Sequence, residues 1–161
     1  MGKVLAFIVL GLAAFVFRPG LAEGGAALPS FAWPVNGQLV DDDDGKPGPA
    51  RHEGIDILIP EGTEVRASLA GTVIYAGNGL TNLGNLILIR HDGGWVTVYG
   101  HNSELFVNRG DEVQTGDVIA RSGRSGSVSR PELHFEIRRG QSALNPQEYL
   151  PLLKPQEPEL P

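Results

Sequence analysis

Four side chains in this sequence could share one site: His52, Asp56, His101 and His134. The last sits in Pro131-Glu132-Leu133-His134-Phe135-Glu136-Ile137-Arg138, where Leu133, Phe135 and Ile137 alternate with Glu132, His134 and Glu136. A period of two over that length reads as a half-buried strand with a histidine between carboxylates on its polar face. His52 and Asp56 lie far upstream. Fully extended, the four-residue step from one to the other would span about 13 Å, too far to share an ion. Gly54 permits a bend there, and Pro60 argues against a helix. A bend at Gly54 would let His52, Asp56 and His134 meet as two nitrogens and one oxygen. That set suits tetrahedral zinc with the fourth position left to water. From spacing alone the signal is weak, since His-x-x-x-Asp is common and each residue reads equally well as a surface His or a turn Asp.

The other chemistry-bearing residues are weighed against plainer roles. His91 precedes a turn, and a surface or turn-stabilising role is favoured over a metal one. Glu136 shares a face with His134 and either orients the free ring nitrogen or is simply solvated. Arg124 and Arg130 lie in residues 122–130, rich in Ser, Gly and Arg, which read as a mobile connector or as a groove wall binding substrate carboxylates. Asp41-Asp42-Asp43-Asp44-Gly45 lacks an alternating calcium-ligand pattern and reads as a solvated turn. Trp33 and Trp95 read as core or groove-rim aromatics.

These residues must be positioned by strands. Residues 55–59, 64–68, 72–76, 85–91, 95–100, 118–121 and 132–138 are strand-sized segments punctuated by glycine, of which the chain has 22. Asp92-Gly93-Gly94 between two of them signals a hairpin. No helix-period stretch of ten residues follows residue 22. The expected fold class is all-β, an antiparallel sheet core.

Length and composition fit one domain with tails: 161 residues, no cysteine, net charge −6. Met1-Gly2-Lys3 and an apolar run to Phe17, then Gly20-Leu21-Ala22, read as a secretory signal peptide cleaved near Ala22; an uncleaved inner-membrane anchor is the alternative. Residues 23–30 read as a linker, 31–150 as the domain, and 151–161 as a proline-rich tail. Loss of residues 1–22 removes Lys3 and Arg18 and leaves about −8, which argues against a nucleic-acid partner. Residues 109–120 suggest a lipoyl or biotinyl carrier, but no lysine lies between Lys46 and Lys154 to be modified, and that reading fails.

His52-Glu53-Gly54-Ile55-Asp56, Gly62-Thr63-x-Val65, Tyr75-Ala76-Gly77, Gly84-Asn85-Leu86, Tyr99-Gly100-His101, Gly110-Asp111-x-Val113-x-x-Gly116 and Leu133-His134-Phe135-Glu136-Ile137-Arg138 follow one another in the order seen in LytM/lysostaphin-type metallopeptidases. The chain resembles that family from about Trp33 to Tyr149. The resemblance implies a β-sheet peptidase fold with a substrate groove over the site, acting on peptidoglycan cross-link peptides in the periplasm or outside the cell, with zinc held by His52, Asp56 and His134 and with His101 catalytic. Family enzymes carry His-x-His in the last strand; here the first histidine is Glu132. A carboxylate there can take a proton, as a general base does, but cannot donate an N–H to an oxyanion, a task left to His101. Asn102, residues 78–86 and Asn145-Pro146 look closest to the envelope LytM subgroup whose members activate a separate cell-wall amidase. Members of that subgroup typically lose metal ligands, whereas this chain keeps all three. The leading expectation is a zinc metalloendopeptidase, with a murein-binding activator of an N-acetylmuramoyl-L-alanine amidase as the alternative.

Overall fold

The computed structural model describes residues 27–40 and 54–152 of the chain. The strand expected to carry the site, β10 (Glu132–Arg139), lies inside an antiparallel sheet. In chain order the strands before it are β1 (Gln38–Val40), β2 (Ile55–Leu58), β3 (Glu64–Arg66), β4 (Gly71–Gly77), β5 (Asn85–Arg90), β6 (Trp95–Asn102), β7 (Glu104–Leu105), β8 (Glu112–Val113) and β9 (Val118–Arg121); β11 (Ser142–Leu144) follows. The main sheet runs β1-β2-β10-β6-β5-β4-β8, with β11 also paired to β10. A smaller sheet runs β3-β9-β7. Among the described residues helix is limited to two single turns of 3-10 helix, at Asp92–Gly94 and Pro146–Glu148. The all-β expectation holds, and β5 and β6 form the expected hairpin.

Alternation in β10 decides how it is packed. Leu133, Phe135 and Ile137 are fully buried in one core cluster that also takes Val65, Ile119 and Ala120 from the smaller sheet. The opposite face is not open, as a half-buried strand would have it. Glu132 and Glu136 are themselves buried, at 8% and 6% exposure. β10 is paired along both edges, by β2 and β11 on one side and β6 on the other, and on its polar face Arg130 and Arg138 lie against the carboxylates while Gly54 packs on Glu136. Carboxylates in that position must be paired.

His91 is also buried, at 4% exposure, which corrects the reading of a surface residue. Its Nδ1 lies 2.8 Å from the Ala70 carbonyl and its Nε2 2.8 Å from Thr97 Oγ1. The Thr97 and Tyr99 hydroxyls share a bond of 2.9 Å, and the Ser68 amide donates to Tyr99 Oη at 2.9 Å. A carbonyl only accepts, so Nδ1 carries a proton and the neutral ring accepts from Thr97 at Nε2. Burial dominates and holds the His91 pKa below its usual value, although Ala70 and Asp92 pull the other way. Burial likewise pushes the Tyr99 hydroxyl up to about 12.

Candidate metal centre

Strand register brings two of the expected ligands together. Asp56 of β2 faces His134 of β10, which faces Gly100 of β6 on its other side. Asp56 Oδ1 lies 2.6 Å from His134 Nδ1. The other ring nitrogen, Nε2, lies 3.0 Å from Glu136 Oε1, and Arg138 Nη1 donates to Glu136 Oε2 at 2.6 Å. Residues 134, 136 and 138 alternate along one strand, so they fall on one face. Both imidazole nitrogens meet carboxylate oxygens, which requires two N–H groups and hence a charged ring. Burial alone would lower the His134 pKa; the hydrogen bonds to Asp56 and then Glu136 outweigh it and raise it to about 9.

This donor set fits a divalent cation. A metal-binding histidine offers one nitrogen to the ion and gives its other N–H to a carboxylate, and Nδ1 with Glu136 at Nε2 has that arrangement. The proton between Asp56 and His134 sits where an ion would replace it. Among the described residues, no three His, Asp or Glu side chains form a metal-holding group. The third expected ligand, His52, lies outside the described residues, as do the acidic loop and the signal segment. The bend expected at Gly54 is present. Its φ is 155°, and a Cβ there would meet the Phe135 carbonyl oxygen at 2.5 Å and Glu136 Cγ at 2.8 Å. Only glycine lets this segment lie so close to β10.

His101 reaches the same neighbourhood by a different device. Pairing of β5 with β6 steps from Asn85↔Asn102 to Ile87↔Tyr99, so β6 holds one residue more than β5. Tyr99 points into the core and Gly100 pairs with His134, so regular alternation would send His101 back to the core side. At the bulge His101 takes φ 64°, the one positive φ outside glycine among the described residues. Its ring comes edge-on to His134, centroids 6.0 Å apart. A left-handed histidine costs on the order of 1–3 kcal/mol, a strain the surrounding loops must hold. Residues 122–130, read from sequence as a mobile connector or a groove wall, do this. Ser125 Oγ accepts from the Asn85 amide at 2.9 Å and donates to the Asn102 carbonyl at 2.6 Å. The Ser125 carbonyl takes the His101 Nδ1 proton at 2.8 Å, and the Ser127 amide donates to Asn82 O at 2.9 Å. With Nδ1 protonated, the Nε2 of a neutral His101 is bare: it accepts a proton, and donates to an oxyanion only as imidazolium.

The remaining expected site residues divide. Glu132 points to the same side of β10 as His134, and its Oε2 lies 3.2 Å from Arg130 Nε. A guanidinium thus already engages the carboxylate that stands where a histidine was expected. Arg124 is exposed. Glu136, weighed as either solvated or orienting, takes the orienting position. Trp95 is a core residue, stacked edge-on with Phe31 and Tyr149. Trp33 is half-buried against the core and donates its indole N–H to the Pro151 carbonyl at 2.8 Å. Two cavities, of about 390 and 370 Å³, lie around Trp95 and His91, at the opposite end of β6 from His101.

Sequence comparison decides the family: residues 50–146 match the model of peptidase family M23. The chain belongs to that family. As an M23 domain it is 41% identical over 129 residues to the lipoprotein NlpD/LppB homolog of Pseudomonas aeruginosa, covering 79% of this chain and 42% of that one. It is 38% identical over 122 residues to the murein hydrolase activator NlpD of Escherichia coli, covering 76% and 31%. The M23 chain thus spans less than half the length of these relatives. In three dimensions it is similar to a zinc-containing peptidase from Vibrio cholerae, with a TM-score of 0.64 and 27% identity over 73% of this chain and 39% of that one.

Proposed function

We propose that this M23 domain acts at peptidoglycan in the bacterial envelope as an activator of a separate N-acetylmuramoyl-L-alanine amidase, and that it keeps a zinc site formed by His52, Asp56 and His134. The observation that carries the reading is Glu132, buried and engaged by Arg130 at the position where hydrolysis in this family uses a histidine. The relatives named as murein hydrolase activators support the same direction. The signal segment fits export to the periplasm, cleaved or retained as an anchor. Bound zinc would tie His52 to the already paired strands β2 and β10, giving the module one defined surface for a partner. Arg124, exposed and next in sequence to the Ser125 that holds His101, is available to meet carboxylates of a murein peptide or of the amidase, whereas Arg130 is partly spent on Glu132.

A second reading, zinc metalloendopeptidase, is favoured by the pairing of Asp56, His134 and Glu136. Zinc when bound would supply Lewis-acid polarisation of a peptide carbonyl. His101 would accept a proton at Nε2, held in that tautomer by Ser125, and once charged would donate it. Glu132 would assist as a proton acceptor only after releasing Arg130. Incubation of purified sacculi with this protein, with a purified cell-wall amidase, and with both together tests the proposal. The activator reading expects muropeptide release from the mixture well above the amidase alone, and none from this protein alone. Release by the zinc-loaded protein alone, lost in His134→Ala, supports the peptidase instead.

A further inference from the structure

We infer that Glu136 and Arg138 are positioning residues that fix which nitrogen of His134 is offered to a metal ion. The inference rests on the reading that Asp56 and His134 hold a divalent cation, and is independent of whether the loaded site cuts peptides or serves a partner.

An imidazole can present either nitrogen by turning about χ2, whose preferences are broad and roughly two-fold. Nothing in Asp56 alone selects between them. Glu136 does, because its Oε1 takes the Nε2 hydrogen at 3.0 Å and leaves Nδ1 facing Asp56. The selecting carboxylate must itself be held, and it is buried, at 6% exposure. Arg138 holds its other oxygen at 2.6 Å, and Arg138 Nη2 reaches the Gln141 carbonyl at 3.2 Å. A chain of charge-assisted bonds therefore runs from the β10–β11 turn to Asp56, each link fixing the next. Glu136 has a second task. A Cβ on Gly54 would stand 2.8 Å from its Cγ, so the bend that leads into Asp56 packs against this side chain. One carboxylate thus orients His134 on β10 and seats the bend that leads to Asp56.

Zinc affinity of the full chain, measured by competition with a chromogenic chelator, tests this together with ¹⁵N shifts of the His134 ring in the zinc-loaded protein. The wild type is expected to bind through Nδ1 with Nε2 protonated. Glu136→Ala and Arg138→Met are expected to weaken zinc by 10–100-fold and to mix the two ring orientations. Glu136→Gln keeps an acceptor oxygen and Arg138→Lys keeps a cation, so each should recover part of the loss. Arg139→Met, whose guanidinium lies over Trp95 instead, should bind as wild type does. If Glu136→Ala does not fold, Arg138→Met and Glu136→Gln decide. Affinities within twofold of wild type in Arg138→Met and Glu136→Ala, with one ring orientation kept, overturn the inference. Failure of the wild type to bind zinc, or equal binding by His134→Ala, overturns the metal reading and this inference with it.

Discussion

A histidine is read differently according to what each of its nitrogens touches. His134 meets a carboxylate at both and is held charged, whereas His91 meets a carbonyl and a hydroxyl and is held neutral. A charged His91 would donate to Thr97 and turn the Thr97 hydroxyl onto Tyr99, whose own hydrogen then has no acceptor among the described residues. The sign of the consequence follows from the lowered pKa. Below about 6.5 the unfolded chain takes up a proton that folded His91 refuses, so stability falls as pH drops from there toward the folded pKa. Thermal melts between pH 6.5 and 5, below the range in which His134 gains its proton, should show this loss, and His91→Gln should flatten it while costing about 1–3 kcal/mol at neutral pH through imperfectly paired Thr97 and Ala70. An unchanged slope in His91→Gln would remove His91 from the account. None of this was legible beforehand. A histidine before Asp-Gly-Gly looks like a turn residue, and its partners Ala70 and Thr97 come from the turn before β4 and from β6. His134 and Asp56 were legible because their neighbours repeat a known order of motifs, and Glu136 because it shares His134's face.

Strand register brings Asp56 and His134 together, and a bulge carries His101. The hairpin and β10 could be read from alternation and turn residues. The extra residue in β6 could not, because Tyr99-Gly100-His101-Asn102 alternates no differently from a regular strand until the partner strand is known. The two-residue strands β7 and β8 and the three-residue strands β1 and β11 are too short to show a period, and the separate β3-β9-β7 sheet appears only in pairing. The hydrogen bonding of the loop that holds His101 is hidden in the sequence for a related reason. Its Ser and Gly content suggests mobility, yet Gly126 at φ 85° and Gly84 at φ 61° are there for close approach. A Cβ on Gly126 would stand 2.5 Å from Asn82 O, and one on Gly84 would stand 2.4 Å from the Ser125 carbonyl carbon. Gly126→Ala should therefore open the clamp while leaving the core folded. Amide hydrogen exchange should quicken at Ser127 and His101 by at least tenfold and stay unchanged at Phe135. Equal protection at Ser127 and His101 in the variant would mean that the loops are not what holds the bulge.

At the scale of the whole molecule, both sheets share one core, and β10 is the element on which the core and the site both depend. Phe135 is fully buried, packed against Tyr99, and stands between the site residues His134 and Glu136. Phe135→Ala should cost about 3–5 kcal/mol by denaturant unfolding and lower zinc affinity in parallel, because the strand that presents His134 loses its anchor. Family membership was legible in the order of motifs. Which member of the family's range of behaviour this is was not, because the outcome turns on one position, Glu132, and on Arg130 beside it. The most direct measurement is therefore muropeptide release from purified sacculi by a cell-wall amidase with and without this protein, the zinc-loaded protein also being assayed by itself. Under the activator reading, amidase-dependent release rises several-fold and this protein alone gives no product. Peptide cross-links cut by the zinc-loaded protein alone, with no effect on the amidase, would contradict it.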